Sequence, residues 1–286
     1  MKGIIPALVT PFDDRGEVNT SSLRALVNKL IGEGVGGFYV CGSTGEGLLL
    51  EEQERKQILE TVVEESNGSV PVIAHVGALS TKQAVRLAVH ARECGADAVS
   101  SIPPLYYPYG LAEIAGYYRT ISEASGLPMI IYNIPALSGF SLTAENVGTL
   151  LDACGAWGLK FTSYNLYELD KIHRKYPALK LFNGHEEILL NALPIGVEGA
   201  IGSSFNFMAE HFLAICNHYQ NRDLVQAEQA QREANRLVDA MVQYGGVRAV
   251  KYLLTRQGIP CGDAREPFSR LTDEQKKKLD EILKTL

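Results

Sequence analysis

Short apolar runs recur about every 20 to 35 residues along the chain, and stretches with apolar positions at helical spacing fill the gaps. The runs are IIPALVT, GFYVCG, PVIAHVG, DAVSSIPP, MIIYNIP, WGLKFTS, LKLFNG and GAIGSS. They are nearly continuous rather than strictly alternating, as expected of strands covered on both faces. Between them, SLRALVNKLIGEG, EEQERKQILETVVEES and TKQAVRLAVHARECG read as amphipathic helices. The first runs into Gly32 and Gly34 and the third into Gly95, glycines of the kind that close helices. Eight such units predict an α/β chain folded as a (β/α)8 TIM barrel. A doubly wound open sheet is the main alternative, and eight units in series fit it less well. The eighth strand ends near Ser204, and the remainder is largely helical. LVQAEQAQREANRLVDAMVQYGG and DEQKKKLDEILKTL mark a C-terminal helical extension. Residues 1–220 are expected to form the barrel. Residues 221–286 are expected to pack on it, because no Pro/Gly/Ser-rich linker intervenes.

Composition narrows the function classes. Hydrophobic residues are 46% and charged residues 21%, enough apolar surface for a sizeable core. The net charge of −6, with no basic cluster, argues against nucleic acid or an anionic membrane as partner. No apolar run approaches the roughly 20 residues a membrane span needs. The opening MKGIIPALVTPFDD is broken by Pro6 and Pro11 and does not read as a secretory signal. Five scattered cysteines with no CxxC pair suggest neither a disulfide framework nor a structural zinc site. The expectation is a cytoplasmic enzyme or binding protein.

One residue breaks the apolar pattern. WGLKFTS carries Lys160 inside a run that should be buried, with no acidic neighbour in sequence. Burying an ammonium among apolar groups disfavours its charge. The plain alternative is that its methylenes carry the charge out to solvent. In a TIM barrel the active site lies at the C-terminal ends of the strands, which offers Lys160 a place to point. The other strand ends gather chemistry on the same rim: Ser43 and Thr44 in GSTGEG after strand two, and Tyr106 and Tyr107 beyond strand four. Strand five ends with Tyr132, Thr162 follows Lys160 on strand six, Gly184-His185-Glu186-Glu187 follow strand seven, and Ser203 ends strand eight. Each has a bland reading. GSTGEG could be only a tight turn, or its amides and hydroxyls could cradle a carboxylate. It lacks the Gly-Lys-Ser/Thr ending of a P-loop. Tyr106 and Tyr107 could pack a neighbouring subunit, and Tyr132 could be a core tyrosine. Glu186 and Glu187 could simply sit at a helix N-terminus. His185 belongs to no HExxH motif, since Leu189 takes the second histidine's place, so a metal site is poorly supported.

Taken together, these residues resemble the pyruvate-dependent class I aldolases, the family of N-acetylneuraminate lyases and dihydrodipicolinate synthases. The resemblance runs from ALVTPF to REPF. GSTGE, YNIP and the GLKFTS lysine carry it in order; each is weak alone, and the ordered set is specific. YYP at Tyr106–Pro108 and YNIPALSG at Tyr132–Gly139 look most like the neuraminate-lyase branch. Dihydrodipicolinate synthases carry an arginine two residues after the YNIP proline, and this chain has Leu137. A second substrate's carboxylate would lose that bidentate clamp. One departure concerns the sugar end: the branch usually has Gly, an aromatic, Asp and Glu after strand seven, where this chain has Gly184-His185-Glu186-Glu187.

The resemblance implies a Schiff base formed by Lys160 on a 2-oxo acid, with no metal or organic cofactor. It implies proton transfer by Tyr132, helped by Thr44 and by Tyr106 of an adjacent subunit. Ser43 and Thr44 would hold the carboxylate, and Thr162, Gly184, Glu186, Glu187 and Ser203 the sugar tail. Its substrates would be pyruvate and a 2-oxo sugar acid, N-acetylneuraminate before others, in a homotetramer. Two rivals stand beside it: a sister aldolase for another 2-keto-3-deoxy sugar acid, favoured by Glu186, and a silent paralogue that only binds a 2-oxo acid. The joint presence of Lys160, Tyr132, Thr44 and Tyr106 argues against the second.

Overall fold

The computed structural model describes residues 1–284. Strands β1 (Gly3–Pro6), β2 (Phe38–Val40), β3 (Val72–His75), β4 (Ala98–Ser101), β5 (Met129–Asn133), β6 (Gly158–Phe161), β7 (Lys180–Asn183) and β8 (Gly199–Gly202) pair in parallel in the order β1-β8-β7-β6-β5-β4-β3-β2. Just past β1, Ala7 bridges Tyr39 and the Leu8 N–H donates to the Tyr39 carbonyl at 2.9 Å, which brings the two outer strands together. That contact distinguishes the expected barrel from an open sheet.

The amphipathic stretches form α1 (Thr20–Glu33), α2 (Glu52–Ser66) and α3 (Thr81–Glu93), followed by α4 (Leu111–Ser125), a single turn α5 (Pro135–Ser138), α6 (Val147–Cys154) and α7 (Leu166–Lys175). The Asn19 side chain accepts from the Ser22 N–H at the start of α1, and Gly34, not Gly32, ends it in the left-handed conformation at φ 85°. Ser80 caps α3 in the same way as Asn19 caps α1. Between β7 and β8 the chain makes only short turns around α8 (Leu189–Ala192), where Pro194 removes a helical donor.

Two cores result. Ile5, Ala7, Tyr39, Ile73, Ile130, Tyr132, Phe182 and Ile201 fill the barrel, and a larger cluster packs the strands' outer faces against the helices. After β8 come α9 (Phe205–Gln220), α10 (Leu224–Tyr244), α11 (Val247–Arg256) and α12 (Asp273–Leu283). The extension grips the barrel's mouth: on α10, the Gln231 amide donates to the Glu186 carbonyl at 3.1 Å and Asn235 to the Glu187 carbonyl at 2.9 Å. The helix expected to run to residue 286 ends at Leu283, and residues 285 and 286 lie outside the described residues. Among the described residues, no helix is long and apolar enough to cross a membrane.

Candidate active site

Strand register settles where Lys160 points. It pairs with Tyr132 on β5 and Phe182 on β7, both members of the inner cluster. Residues in register on neighbouring strands share a face, so Lys160 projects into the barrel, 4% exposed. Its Nζ lies 3.9 Å from the Tyr132 ring centroid and 4.5 Å from that of Tyr39. It makes no ion pair among the described residues. The cation meets aromatic faces, an attraction of about 2 kcal/mol when desolvated, and no carboxylate.

An aromatic floor surrounds it. Tyr39, His75 and Tyr132 stand at 5.9 to 6.2 Å between ring centroids, with Tyr132 edge-on to both others. The His75 Nδ1–H donates to the Cys41 carbonyl at 3.0 Å, and its Nε2 accepts from the Ile102 N–H at 3.3 Å. These bonds fix one neutral tautomer. Burial, reinforced by the Arg55 and Lys160 cations, holds the His75 pKa at about 3. Arg55 reaches in from α2, fully shielded, and donates to the His75 and Gly77 carbonyls. The Tyr39 hydroxyl bonds Ser100 Oγ at 3.0 Å, and burial raises its pKa well above the usual tyrosine value.

The GSTGE loop divides in two. Ser43 is exposed and Thr44 half-buried on the rim after β2. Glu46, in the left-handed region at φ 57°, turns away from the rim. Its buried carboxylate accepts from Lys251 Nζ at 3.0 Å and from the Arg265 N–H at 2.6 Å. The motif's acid therefore anchors the loop to the C-terminal extension.

Thr162 follows β6 directly, and its Oγ1 is buried without a hydrogen-bond partner among the described residues. Gly184 is the only residue that fits opposite: a Cβ there would lie 1.9 Å from that oxygen. Glu186 is buried, and its carboxylate accepts from the Ser203 N–H (2.7 Å), Ser203 Oγ (3.2 Å) and the Ser204 N–H (3.0 Å). Gly202 makes room, since a Cβ would stand 2.0 Å from Glu186 Oε2. Burial raises the Glu186 pKa against these bonds. The resemblance implies a place for Glu186 at the sugar tail; in the fold its carboxylate also holds the end of β8. Glu187 is half-buried and accepts from Tyr164 Oη at 2.5 Å and from His185 Nδ1 at 3.2 Å.

Thus Lys160 and Tyr132 meet in the barrel, Thr162 faces Gly184, and Glu186 binds Ser203, while Ser43 and Thr44 stand on the rim. Tyr106 stands apart: it is 89% exposed at φ 81°, its ring edge-on to Tyr107. Sequence reasoning overlooked Tyr39, His75, Arg55 and Tyr164. Period-two alternation carried through GFYVCG and PVIAHVG would have turned Tyr39 and His75 inward. Among the described residues, no group of three or more His, Cys, Asp or Glu is placed to hold a metal ion.

A sequence model of the dihydrodipicolinate synthetase family matches residues 1–286. The N-acetylneuraminate lyase of Citrobacter koseri is 40% identical over 290 residues, covering 100% of this chain and 97% of that protein. The crystal structure of CdNal from Clostridium difficile in complex with mannosamine superposes with a TM-score of 0.96 at 35% identity, covering 100% of this chain and 99% of that one. A catalytic lysine mutant of the Ruminococcus gnavus sialic acid aldolase gives 0.95 at 31% identity, covering 99% and 94%.

Proposed function

The chain belongs to the dihydrodipicolinate synthetase family, and from that premise we propose that it is a Schiff-base lyase that reversibly cleaves N-acetylneuraminate to pyruvate and N-acetylmannosamine. The observation that carries the mechanism is Lys160: an amine inside the barrel, 4% exposed, over the Tyr39 and Tyr132 rings and in no ion pair among the described residues. Leu137, standing where a synthase would need its arginine, disfavours an aldehyde that bears a carboxylate. Relatives named for neuraminate or sialic acid, matched over nearly the whole chain, supply the substrate class.

In the reaction, Lys160 Nζ attacks the C2 ketone of the open-chain sugar acid and water leaves, giving an iminium. The Tyr39 and Tyr132 ring faces that suit a cation at Nζ also suit that positive charge. Tyr132 takes the proton from the C4 hydroxyl as it passes its own phenolic proton to the Thr44 hydroxyl, which hands its own on to the substrate carboxylate. The C3–C4 electron pair then flows toward the iminium nitrogen, leaving an aldehyde and a lysine-bound enamine. Protonation at C3 and hydrolysis release pyruvate and restore the amine. The iminium is the electron sink, so the proposal assigns no metal or organic cofactor. Ser43 and Thr44 hold the substrate carboxylate, and Thr44 relays protons with Tyr132. Thr162, Gly184, Glu187 and Ser203 meet the tail, and Glu186 acts there through Ser203. Tyr106 completes the site of an adjacent subunit: its exposed ring, with exposed Tyr107 and Leu137 in the neighbouring loops, makes an apolar rim suited to burial in a homotetramer. We place the enzyme in the cytoplasm.

Borohydride trapping tests the reading. Pyruvate and N-acetylneuraminate should each leave a pyruvyl adduct on Lys160, with N-acetylmannosamine released from the second. An adduct with pyruvate alone moves the substrate to another sugar acid. Absence of any adduct on Lys160 overturns the Schiff-base mechanism.

A further inference from the structure

The motif Arg265-Glu266-Pro267-Phe268, near the C-terminus, takes no part in the reaction above, yet its arginine is tied to the GSTGE loop. The Arg265 N–H donates to Glu46 Oε2 at 2.6 Å, across 219 residues of sequence. Its guanidinium donates to both carboxylate oxygens of Glu54 and, through Nη2, to the Gly16 carbonyl at 2.7 Å. A two-pronged pair of this kind fixes orientation as well as distance. The guanidinium also lies 4.4 Å from the Phe12 ring centroid, and the Phe12 N–H donates to the Cys261 carbonyl at 2.9 Å. One residue, its side chain 21% exposed, thereby joins the segments that follow β1 and β2 to the first turn of α2.

The GSTGE loop needs such outside support. Ser43 and Thr44 stand between Cys41 at φ 59° and Glu46 at φ 57°, two non-glycine residues in the left-handed region. Backbone of this kind is strained and persists only where its surroundings over-determine it. At the Cys41 end the support is the barrel floor. His75 Nδ1 bonds the Cys41 carbonyl at 3.0 Å, and a Cβ on Gly42 would stand 2.6 Å from the Tyr39 ring. At the Glu46 end the support is the C-terminal extension. Lys251 meets the charge of the buried Glu46 carboxylate, while Arg265 ties it to α2 and to the loop after β1. The first anchor is therefore part of the barrel, and the second comes from the far end of the chain.

We propose that Arg265 is a positioning residue for the 2-oxo acid: through Glu46 and Glu54 it holds the GSTGE loop where the substrate carboxylate can reach both that loop and Lys160. Arg265 itself touches no substrate. A loop released at its Glu46 end carries Ser43 and Thr44 away from the carboxylate, while Lys160 stays fixed on β6. The sugar half of the substrate, met by residues after β6, β7 and β8, is left as it was. This rests on the lyase reading above, in which Ser43 and Thr44 hold the carboxylate.

The test reads the two halves of the substrate separately. The pyruvate concentration that half-saturates borohydride trapping on Lys160 reports the carboxylate end. KM for N-acetylmannosamine in the condensation direction reports the other. Arg265→Met should raise the first about tenfold, the scale of a small misplacement set up far from the chemistry, and change the second less than about twofold. Arg265→Lys keeps the charge without the two-pronged geometry, and should raise pyruvate half-saturation about threefold. Glu54→Gln weakens the same pair from its other side, and added to Arg265→Met should worsen it by less than about twofold. The lysine and glutamine variants also serve if Arg265→Met folds poorly. An unchanged pyruvate half-saturation in the folded variants, or an equal rise in both quantities, overturns the inference and leaves the lyase reading standing. A wild-type protein that traps no pyruvate on Lys160 overturns the lyase reading, and this inference with it.

Discussion

Two lysines are buried in this molecule, and they are solved in opposite ways. Lys251, on α11, is fully shielded. It donates to the Glu46 carboxylate at 3.0 Å and the Asp263 carbonyl at 2.8 Å, and lies 4.0 Å from the Phe12 ring centroid. Burial draws its pKa below the usual lysine range, and Glu46 pulls the other way. Lys160, nearly as buried, has among the described residues only the faces of Tyr39 and Tyr132. Burial alone therefore says little about chemistry. Lys251 has its donors occupied and joins the GSTGE loop, α11 and the segment at Arg265. Lys160 keeps its nitrogen open to an incoming carbonyl.

Replacing each lysine by methionine should separate the two roles. Lys160→Met should abolish pyruvate trapping and lower sugar-acid cleavage by about 10⁴-fold or more. Its stability should stay within about 1 kcal/mol of wild type, because no buried partner is left behind and methionine suits the space. Lys251→Met should do the reverse in chemical denaturation. It strands the Glu46 carboxylate in the interior, a loss of about 3–5 kcal/mol, and Glu46→Gln in the same chain should restore much of it. A stable Lys251→Met protein, or a destabilised Lys160→Met protein, would break the comparison.

His75 sharpens it through pH. Its folded-state pKa of about 3 lies below the ordinary 6.5 because burial and the neighbouring Arg55 and Lys160 cations exclude a further charge. Below about pH 6.5 the unfolded chain takes up a proton that the native state refuses, so this residue lowers stability as pH falls toward about 3. The slope is about 1.4 kcal/mol per pH unit, or roughly 2 kcal/mol between pH 6.5 and pH 5. Denaturation at pH 7 and pH 5 should show His75→Gln losing about 2 kcal/mol less than wild type. Equal losses would mean that His75 is protonated in the native protein.

Much of this was legible in the chain because the signals are local. Nearly continuous apolar runs report strands covered on both faces, and Gly34 marks a helix end by its own backbone chemistry. Lys160 stood out because it broke an apolar run. Tyr39 and His75 did not, since an aromatic residue in a strand conforms to the pattern that hides it. Glu46 and Lys251 are 205 residues apart, and nothing local links them. Glu186 shows the limit most clearly: nothing in its own motif reveals that its carboxylate bonds Ser203 and Ser204, or that Gly202 on β8 leaves the room for it. The Tyr164–His185 stack likewise needs two loops brought together.

The smallest expected effect divides a single residue into its parts. Tyr39 offers Lys160 a ring face and offers Ser100 a hydroxyl. Tyr39→Phe deletes only the hydroxyl bond, which should cost about 1 kcal/mol in denaturation. The ring face remains, so pyruvate trapping on Lys160 should change by less than about twofold. Tyr39→Leu deletes both, and trapping should then fall further than stability alone explains. If Tyr39→Phe slows trapping as much as Tyr39→Leu does, the hydroxyl and its link to Ser100 set the reactivity of Lys160. In that case the two lysines would differ less than their partners suggest, because each would depend on a polar group positioned from another element.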